Sequence, residues 1–277
     1  MVNNWHLIIL AILQGITELF PVSSLGHAVL IPAALHWPMD RDAPWFLPFI
    51  VVLHLGTAAA LLLFFWRDWW KIFASMVHTR GRPTEPGARL FWLLVLGTVP
   101  AGLIGLVLQQ RIRLLFGTFA VAAVALAING ILLIAGDALK QRRARHELEH
   151  MGWGQSFLVG IAQALALVPG ISRSGVTLIA GLGTGLDYAA SARFSFLLAT
   201  PVIGAAGLLE IPKLLHASLP NGLLATIIGS GVVAGVCAWL STWFLMRYFR
   251  SRELTALRPF GFYCLLAAAV ALFLHAL

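Results

Sequence analysis

Six long apolar segments alternate with short polar stretches along this chain. They lie near residues 48–66, 90–108, 117–137, 194–209, 222–246 and 259–277. Each has about the length of the roughly 20 residues that an α-helix needs to cross a bilayer. The pattern predicts an all-α polytopic membrane protein with six transmembrane helices.

Two further apolar segments, 6–35 and 153–186, are each interrupted at the middle by a polar run. The runs are QGITELFPVSSLGH at 14–27 and PGISRSGVT at 169–177. Proline with nearby glycine and serine breaks helices, so each segment is predicted to form two short helices. Charged side chains at membrane depth are costly and persist mainly where they do chemistry or carry a substrate. The two runs are therefore the candidate functional site.

The distribution of lysine and arginine decides how the broken segments sit. If both are re-entrant hairpins, one membrane face carries fourteen of these residues and the other carries four. The larger set is Arg67, Lys71, Arg80, Arg82, Arg89, Lys140, Arg142, Arg143, Arg145, Arg193, Arg247, Arg250, Arg252 and Arg258; the smaller is Arg41, Arg111, Arg113 and Lys213. Full crossings would split the same residues ten against eight, which the positive-inside rule disfavours. We therefore expect two re-entrant helical hairpins, the first open to the outside and the second open to the inside.

An internal duplication agrees with this arrangement. At an offset of about 148 residues the halves match at Gln14 and Gln163, Pro21 and Pro169, Ser24 and Ser172, and Gly56 and Gly204, and Phe116-Gly117 matches Phe260-Gly261 at a shorter offset. Three crossings in each half make the repeats inverted. The predicted units are a first repeat over 1–137, a basic cytoplasmic linker over 138–150 and a second repeat over 151–277. Both termini then lie outside, and the hairpin tips meet near the midplane around a polar cavity, an arrangement that resembles transporters.

Composition supports the membrane assignment. The chain is 60% hydrophobic and 11% charged, with a mean hydropathy of +0.88, far outside the range of soluble domains. The net charge of +8 marks topology, because its residues gather between apolar runs, and no nucleic-acid-binding domain is visible. Cys237 and Cys264 lie in apolar runs and are interpreted as buried small side chains. The first segment has no preceding basic residue and is expected to be retained rather than cleaved.

Glu18 is the one acid of eleven that lies well inside a membrane segment. Gln14 is four residues earlier, so both side chains share a helix face. We expect Glu18 to act as a base or a metal-facing ligand; the alternative is a protonated glutamate that is hydrogen-bonded to a neighbouring helix.

Ser23 and Ser24 are good N-cap residues for a helix that runs back out through His27. Free amides and the helix dipole beside these hydroxyls suit a phosphate. His27 is expected near enough to Ser24 to exchange a proton with it, although a purely capping and packing role is an alternative. His54 lies alone on a span and is interpreted as structural or as a polar group that contacts a site residue rather than the substrate.

The second run repeats this geometry, with Ser172, Ser174 and Thr177 around Arg173. Arg173 is the one lysine or arginine that the topology places at the midplane. A guanidinium clamps phosphate oxygens with two parallel hydrogen bonds. We expect it to bind a phosphate group; an ion pair with Glu18 alone is the structural alternative.

These motifs resemble the undecaprenyl-diphosphatase family of the bacitracin-resistance type. The resemblance covers nearly the whole chain: Gln14-x-x-x-Glu18, PVSSLGH at 21–27, HLGT at 54–57, Pro100-Ala101, PGISRSG at 169–175 with Thr177, and FSFLLATP at 194–201. It implies a bacterial inner-membrane enzyme that hydrolyses undecaprenyl diphosphate to the monophosphate. It further implies a site open to the outer face, and a divalent cation, Mg²⁺ or Ca²⁺, held at Glu18. A homodimer is an open alternative to the monomer.

By matching position, the resemblance also implies roles for individual residues. Gln14 and Glu18 form the acidic motif, Ser24 is a nucleophile or phosphate-positioning hydroxyl, and His27 transfers protons. Arg173 holds the diphosphate together with Ser172, Ser174 and Thr177.

Family members often carry glutamate where this chain has Gln14, Ile50 and Arg193, so metal binding is expected to be weaker or to rest on Glu18. The leading hypothesis is metal-assisted phosphoryl transfer in which Ser24 or a water attacks the terminal phosphorus. Two alternatives remain: a transporter or flippase of a polyprenyl phosphate or other lipid-linked anion, and an inactive paralogue that binds the lipid and a partner protein.

Overall fold

A computed structural model describes residues 4–37, 43, 45–108, 118–139, 148–216, 222–251 and 255–276. The helices of the first half are α1 (Asn4–Thr17), α2 (Ser24–Ala34), α3 (Phe46–Phe64), α4 (Trp66–His78), α5 (Pro86–Val107) and α6 (Phe119–Gly136). Those of the second half are α7 (Trp153–Ala164), α8 (Arg173–Gly183), α9 (Tyr188–His216), α10 (Leu223–Ser251) and α11 (Arg258–Ala276). The described residues thus form an all-helical fold.

Six helices among the described residues are long and apolar enough to cross a membrane: α3, α5, α6, α9, α10 and α11. The six predicted spans are therefore confirmed, with boundaries shifted by a few residues. The largest shift is in α9, which begins at Tyr188 rather than near 194 because Arg193 pairs with Asp68 and is accommodated within the helix. Helix α4 was not predicted, since its mixture of tryptophan and charge matches no spanning pattern.

Both broken segments fold back on themselves as antiparallel helix pairs. At the start of α1 the His6 ring stacks on Trp37, which follows α2, with ring centroids 4.1 Å apart. At the start of α7, Gln155 Nε2 donates to Thr184 O, at the end of α8, over 2.6 Å. In each pair the beginning of the first helix therefore lies beside the end of the second. That the pairs enter and leave the bilayer at one face stays a prediction.

One end of the bundle, here called the basic end, gathers helix termini from both halves. Asp137, after α6, accepts hydrogen bonds from Tyr188 Oη at 2.6 Å and from the backbone N–H of Arg258 at 3.0 Å. Arg89, near the start of α5, donates to Met151 O at 2.9 Å. The starts of α5, α9 and α11 and the mouth of the α7–α8 pair therefore lie together.

Two close helix crossings occupy corresponding places in the two halves. Helix α1 packs on α10 and α7 packs on α5. A Cβ at Gly15 would overlap the backbone of Ala234, and a Cβ at Gly160 would lie 2.6 Å from Gly97 O. Both crossings require glycine for this backbone approach. The inverted duplication itself stays a prediction.

Several sequence predictions lie outside the described residues. They concern Arg41, Phe116, Gly117, Arg111, Arg113, Lys140, Arg142, Arg143, Arg145 and Arg252. The central part of the predicted basic linker is among them.

Candidate active site

The tips of the two helix pairs meet inside the bundle. Arg173 Nη2, at the start of α8, donates to Glu18 Oε1 over 3.0 Å. Ser174 Oγ donates to Phe20 O over 3.3 Å, and a Cβ on Gly26 would lie 3.1 Å from Gly170 Cα. Glu18 is buried and Arg173 is largely so, with side chains 7% and 12% exposed. The sequence runs that were expected to converge therefore do so.

The Glu18 carboxylate is the centre of a cluster of polar side chains at the meeting tips. Its Oε2 atom accepts from Ser24 Oγ at 2.6 Å and from Gln14 Nε2 at 3.2 Å. His54 Nε2 lies 3.3 Å from the same oxygen. With Arg173 on Oε1, side chains from α1, α2, α3 and α8 surround one carboxylate. A serine hydroxyl that hydrogen-bonds a carboxylate is arranged to give up its proton.

The second helix of each pair, α2 or α8, begins with a serine N-cap. Ser23 Oγ accepts from Gly26 N at 3.2 Å, and Ser172 Oγ accepts from Gly175 N at 3.2 Å. These two N-caps make Ser23 the equivalent of Ser172, whereas the sequence overlay had paired Ser172 with Ser24. Two helix N-termini, each with unsatisfied amides and the positive end of a dipole, thus lie at the cluster, because Ser24 and Arg173 both contact Glu18.

Arg173 is held from two sides and keeps spare donors. Its Nη1 donates to Ser195 O at 3.1 Å while Nη2 reaches Glu18. Because a guanidinium has five N–H groups, three remain for a ligand. Thr177 Oγ1 donates to Arg173 O at 2.7 Å and lies 2.7 Å from Ser195 Oγ. Thr177 thus supports the turn that carries Arg173, and its predicted substrate contact stays a prediction.

The serines flanking Arg173 also contact each other. Ser172 Oγ and Ser174 Oγ are 3.0 Å apart, and both residues are buried. Ser172 Oγ also caps α8, and Ser174 Oγ also donates to Phe20 O, so each hydroxyl already has a second partner. Their predicted substrate contacts stay predictions.

The expected contact between His27 and Ser24 is not found; the ring of His27 has other partners. His27 Nδ1 lies 2.7 Å from Ser23 O, and Nε2 lies 2.8 Å from Tyr263 Oη. A carbonyl can only accept, so Nδ1 carries the proton and the Tyr263 hydroxyl donates to Nε2. The sequence placed His27 by its spacing from Ser24 alone, which does not determine where the ring turns.

His54 reaches the cluster more directly than its isolated position in the sequence suggested. Its Nδ1 donates to Ile50 O at 2.8 Å, which aims Nε2 at Glu18. The Ile50 side chain is buried in an apolar cluster with Leu7 and Phe49. Arg193 pairs with Asp68 at the basic end. Two of the three positions at which the resemblance led us to expect glutamate thus have apolar or ion-paired roles here.

Asn129 was missed, although a signal was present. It is the one polar side chain in the apolar sequence of α6, and it is fully buried. A polar residue at the centre of a span calls for hydrogen-bond partners. Asn129 has them on both tips: Nδ2 donates to Pro21 O at 3.0 Å, and Oδ1 accepts from Ser172 N at 2.9 Å.

The donor set has a limited fit for a divalent cation. The described residues contain no group of three or more His, Cys, Asp or Glu side chains that could hold one. Glu18 is the one carboxylate in the cluster. Mg²⁺ is commonly bound by one or two carboxylates together with substrate phosphates and waters. These residues therefore fit a cation only when a bound phosphate shares it, with Glu18 as its protein carboxylate. Both Glu18 oxygens already contact other side chains: Arg173, Ser24, Gln14 and His54.

Comparison with known proteins agrees with the motifs. Residues 7–270 match the family described as bacitracin resistance protein BacA. Undecaprenyl-diphosphatase 2 of Chromobacterium violaceum is 55% identical over 270 residues, covering 98% of each chain. Undecaprenyl-diphosphatase of Acidiphilium cryptum is 51% identical over 275 residues, covering 96% of each chain. That of Granulibacter bethesdensis is 49% identical, covering 98% of this chain and 96% of the relative.

Proposed function

This chain belongs to the bacitracin resistance protein BacA family, and we propose that it hydrolyses undecaprenyl diphosphate to undecaprenyl phosphate and inorganic phosphate. The reaction recycles the lipid carrier of cell-wall synthesis. The observation that carries the proposal is the 2.6 Å hydrogen bond from Ser24 Oγ to Glu18 Oε2 beside the Arg173 guanidinium. A potential nucleophile, its base and an anion-binding cation thus share one buried site.

In the proposed reaction Ser24 Oγ attacks the terminal phosphorus of the lipid diphosphate. A bond forms between Ser24 Oγ and phosphorus, the bond from phosphorus to the bridging oxygen breaks, and undecaprenyl phosphate leaves. The Ser24 proton passes to Glu18 Oε2. A water then attacks the phosphorus of the phosphoserine, and the bond from phosphorus to Ser24 Oγ breaks. Glu18 returns its proton to Ser24 Oγ, and inorganic phosphate leaves with the oxygen and protons of the water.

The free N–H groups of Arg173 and the two helix N-termini bind the phosphate oxygens and stabilise the charge that spreads over them. Electrostatic stabilisation and positioning supply most of the rate in such transfers. Glu18 would hold a divalent cation, Mg²⁺ or Ca²⁺, together with the diphosphate. Such a cation neutralises phosphate charge when bound.

The charges at the two ends of the bundle support an orientation in the membrane and a side from which the site opens. Arg89 and Arg193 lie at the basic end, together with the start of α11 at Arg258. The positive-inside rule assigns such an end to the cytoplasm. The mouth of the α1–α2 pair then lies outside, so the site is proposed to open to the outer face of a bacterial inner membrane. A homodimer stays a prediction.

The alternative of transport gains no support from the relatives named above, all of which are called diphosphatases. Phosphate release in detergent tests the choice, because detergent has no leaflets between which a carrier could move lipid. We expect the purified protein to release phosphate from undecaprenyl diphosphate. Lipid binding without release, together with leaflet exchange in liposomes, would instead indicate a carrier.

Arg173→Ala is the sharpest test of the site. It should reduce phosphate release by at least about 100-fold, since it removes the cation that stabilises the transferring group. Arg193→Ala is the matched control, because Arg193 is paired with Asp68 at the basic end. A parental rate in folded Arg173→Ala protein would overturn the proposed site.

A further inference from the structure

A single side chain outside both helix pairs joins their tips. Asn129 lies near the middle of α6 and is fully buried. Its Nδ2 donates to Pro21 O on the first tip, and its Oδ1 accepts from Ser172 N on the second. The amide orientation follows from these partners, because the reversed amide would place oxygen against oxygen and N–H against N–H.

The two backbone groups that Asn129 binds are close to the reacting side chains in sequence. Pro21 lies midway between Glu18 and Ser24, and Ser172 directly precedes Arg173. The Glu18 to Arg173 distance of 3.0 Å therefore depends on how these two turns are held relative to each other.

Besides Asn129 and the Glu18–Arg173 pair, the tips also meet where a Cβ at Gly26 would lie 3.1 Å from Gly170 Cα. Across the tips, Ser174 Oγ reaches Phe20 O over a longer 3.3 Å. The second turn also packs on α6, where a Cβ at Gly170 would lie 2.7 Å from the Ala125 side chain. The second turn thus packs directly on helix α6. Through Asn129 the same helix also hydrogen-bonds both turns.

We propose that Asn129 is a positioning residue that sets the register of the two tips, so that Ser24, Glu18 and Arg173 meet at one phosphate. This inference rests on the proposed function. Asn129 is not a catalytic residue, because its amide is occupied by Pro21, Ser172 and, at 3.4 Å, Cys264 Sγ. It acts through the turns that it holds.

The alternative is a merely stabilising buried amide, and kinetics separates the two roles. A shift of about 1 Å in a reacting group costs on the order of 100-fold in rate. Asn129→Leu removes both hydrogen bonds and keeps the branched shape at a larger volume, and Asn129→Ala removes them without any new bulk. We expect either variant to lower kcat about 10- to 100-fold while KM changes less than about threefold, since the spare donors of Arg173 still bind the diphosphate.

The matched control is Ser156→Ala. Ser156 is also fully buried, and its Oγ donates to Leu93 O between α7 and α5 at 2.5 Å. The Ser156→Ala variant should lower the thermal midpoint by about as much as the Asn129 variants do. Its kcat should stay within about twofold of the parent. Cys264→Ala tests the third contact of Asn129 and should leave kcat similarly unchanged.

The outcomes are distinct. Folded Asn129→Ala protein with parental kcat, or a fall in kcat that Ser156→Ala reproduces at an equal loss of stability, overturns the positioning role and leaves the proposed function intact. A parental protein that releases no phosphate overturns both. If Asn129→Leu does not fold, Asn129→Ala decides.

Discussion

His54 Nε2 lies 3.3 Å from the Glu18 oxygen that also accepts the Ser24 hydroxyl. The imidazole comes from α3, and its orientation is set by the hydrogen bond from Nδ1 to Ile50 O. Oε2 thus has three neighbours from three helices, and Arg173 holds Oε1. Movement of any of these helices would change how Glu18 meets Ser24.

His54→Leu tests the contribution of this contact. Because Nδ1 already donates to Ile50 O, Nε2 donates to the Glu18 carboxylate as part of a protonated imidazolium. We expect phosphate release to fall about tenfold, because the loss of one hydrogen bond to a charged group corresponds to about 1.5 kcal/mol. His54→Gln should retain more activity, since its amide N–H can still donate to Glu18. Equal rates for His54→Leu and the parent, in protein with a native thermal midpoint, would show that the contact has no role in turnover.

His27 and Tyr263 should behave as one unit. Because His27 Nε2 accepts from Tyr263 Oη, Tyr263→Phe leaves the ring without its partner. We expect Tyr263→Phe and His27→Leu each to lower turnover, and the double variant to be no worse than His27→Leu, since contacting residues are not additive. Rates of phosphate release by the parent, the two single variants and the double variant give the coupling free energy between His27 and Tyr263. Fully additive losses would indicate that His27 acts independently of Tyr263, as its sequence position beside Ser24 had suggested.

The two helix caps should respond differently to alanine. Ser23 has φ 66°, in the left-handed region, whereas Ser172 has φ −85°. Alanine at either position loses a cap, which costs about 1 kcal/mol. At Ser23 it also retains the left-handed strain of about 1–2 kcal/mol that glycine avoids.

We therefore compare glycine and alanine variants at positions 23 and 172. The glycine variant should exceed the alanine variant in unfolding free energy by about 1 kcal/mol more at position 23 than at position 172. Unfolding of the four variants in the same detergent measures it. Equal differences at the two positions would contradict a strained backbone at Ser23.

Metal dependence should reflect the small number of carboxylates. We expect chelation with EDTA to reduce phosphate release and Mg²⁺ or Ca²⁺ to restore it. Without lipid diphosphate, Mn²⁺ should bind the parent weakly, because Glu18 is the one carboxylate in the cluster. Gln14→Glu places a second carboxylate where the Gln14 amide now lies 3.2 Å from Glu18, so it should raise Mn²⁺ affinity in the absence of lipid.

Electron paramagnetic resonance of free Mn²⁺ gives this affinity without any assay of turnover. Gln163→Glu is the control, since Gln163 is likewise buried but donates to Gly97 O on α5. If both variants bind Mn²⁺ equally, the added charge alone explains the change and Glu18 is not a ligand.

Much of the candidate site was predictable because its signals are local. Glu18 and Arg173 stand out as charges within apolar segments, and Pro21 and Pro169 mark where the helices break. The serines beside them cap the next helix, which also depends on neighbours only. These features reside in a few consecutive residues, so no tertiary information is needed to find them.

The contacts of His54, His27 and Asn129 were not predictable in the same way. His54 and Asn129 lie on spans whose rotation about the helix axis is set by packing against other helices. His27 is close to Ser24 in sequence, yet its ring turns to Tyr263 on α11. Periodicity cannot reveal such partners.

By itself the amino-acid sequence determined the membrane class, the six spans, the two interruptions and the family, because hydrophobic length, helix breaking and motif spacing are properties of neighbouring residues. Only the tertiary structure decided that Glu18 is shared by Ser24, Gln14, His54 and Arg173, and that Asn129 joins the two tips. Those contacts depend on distances between helices that are far apart along the chain, and these distances are set by side-chain packing and hydrogen bonds across the bundle.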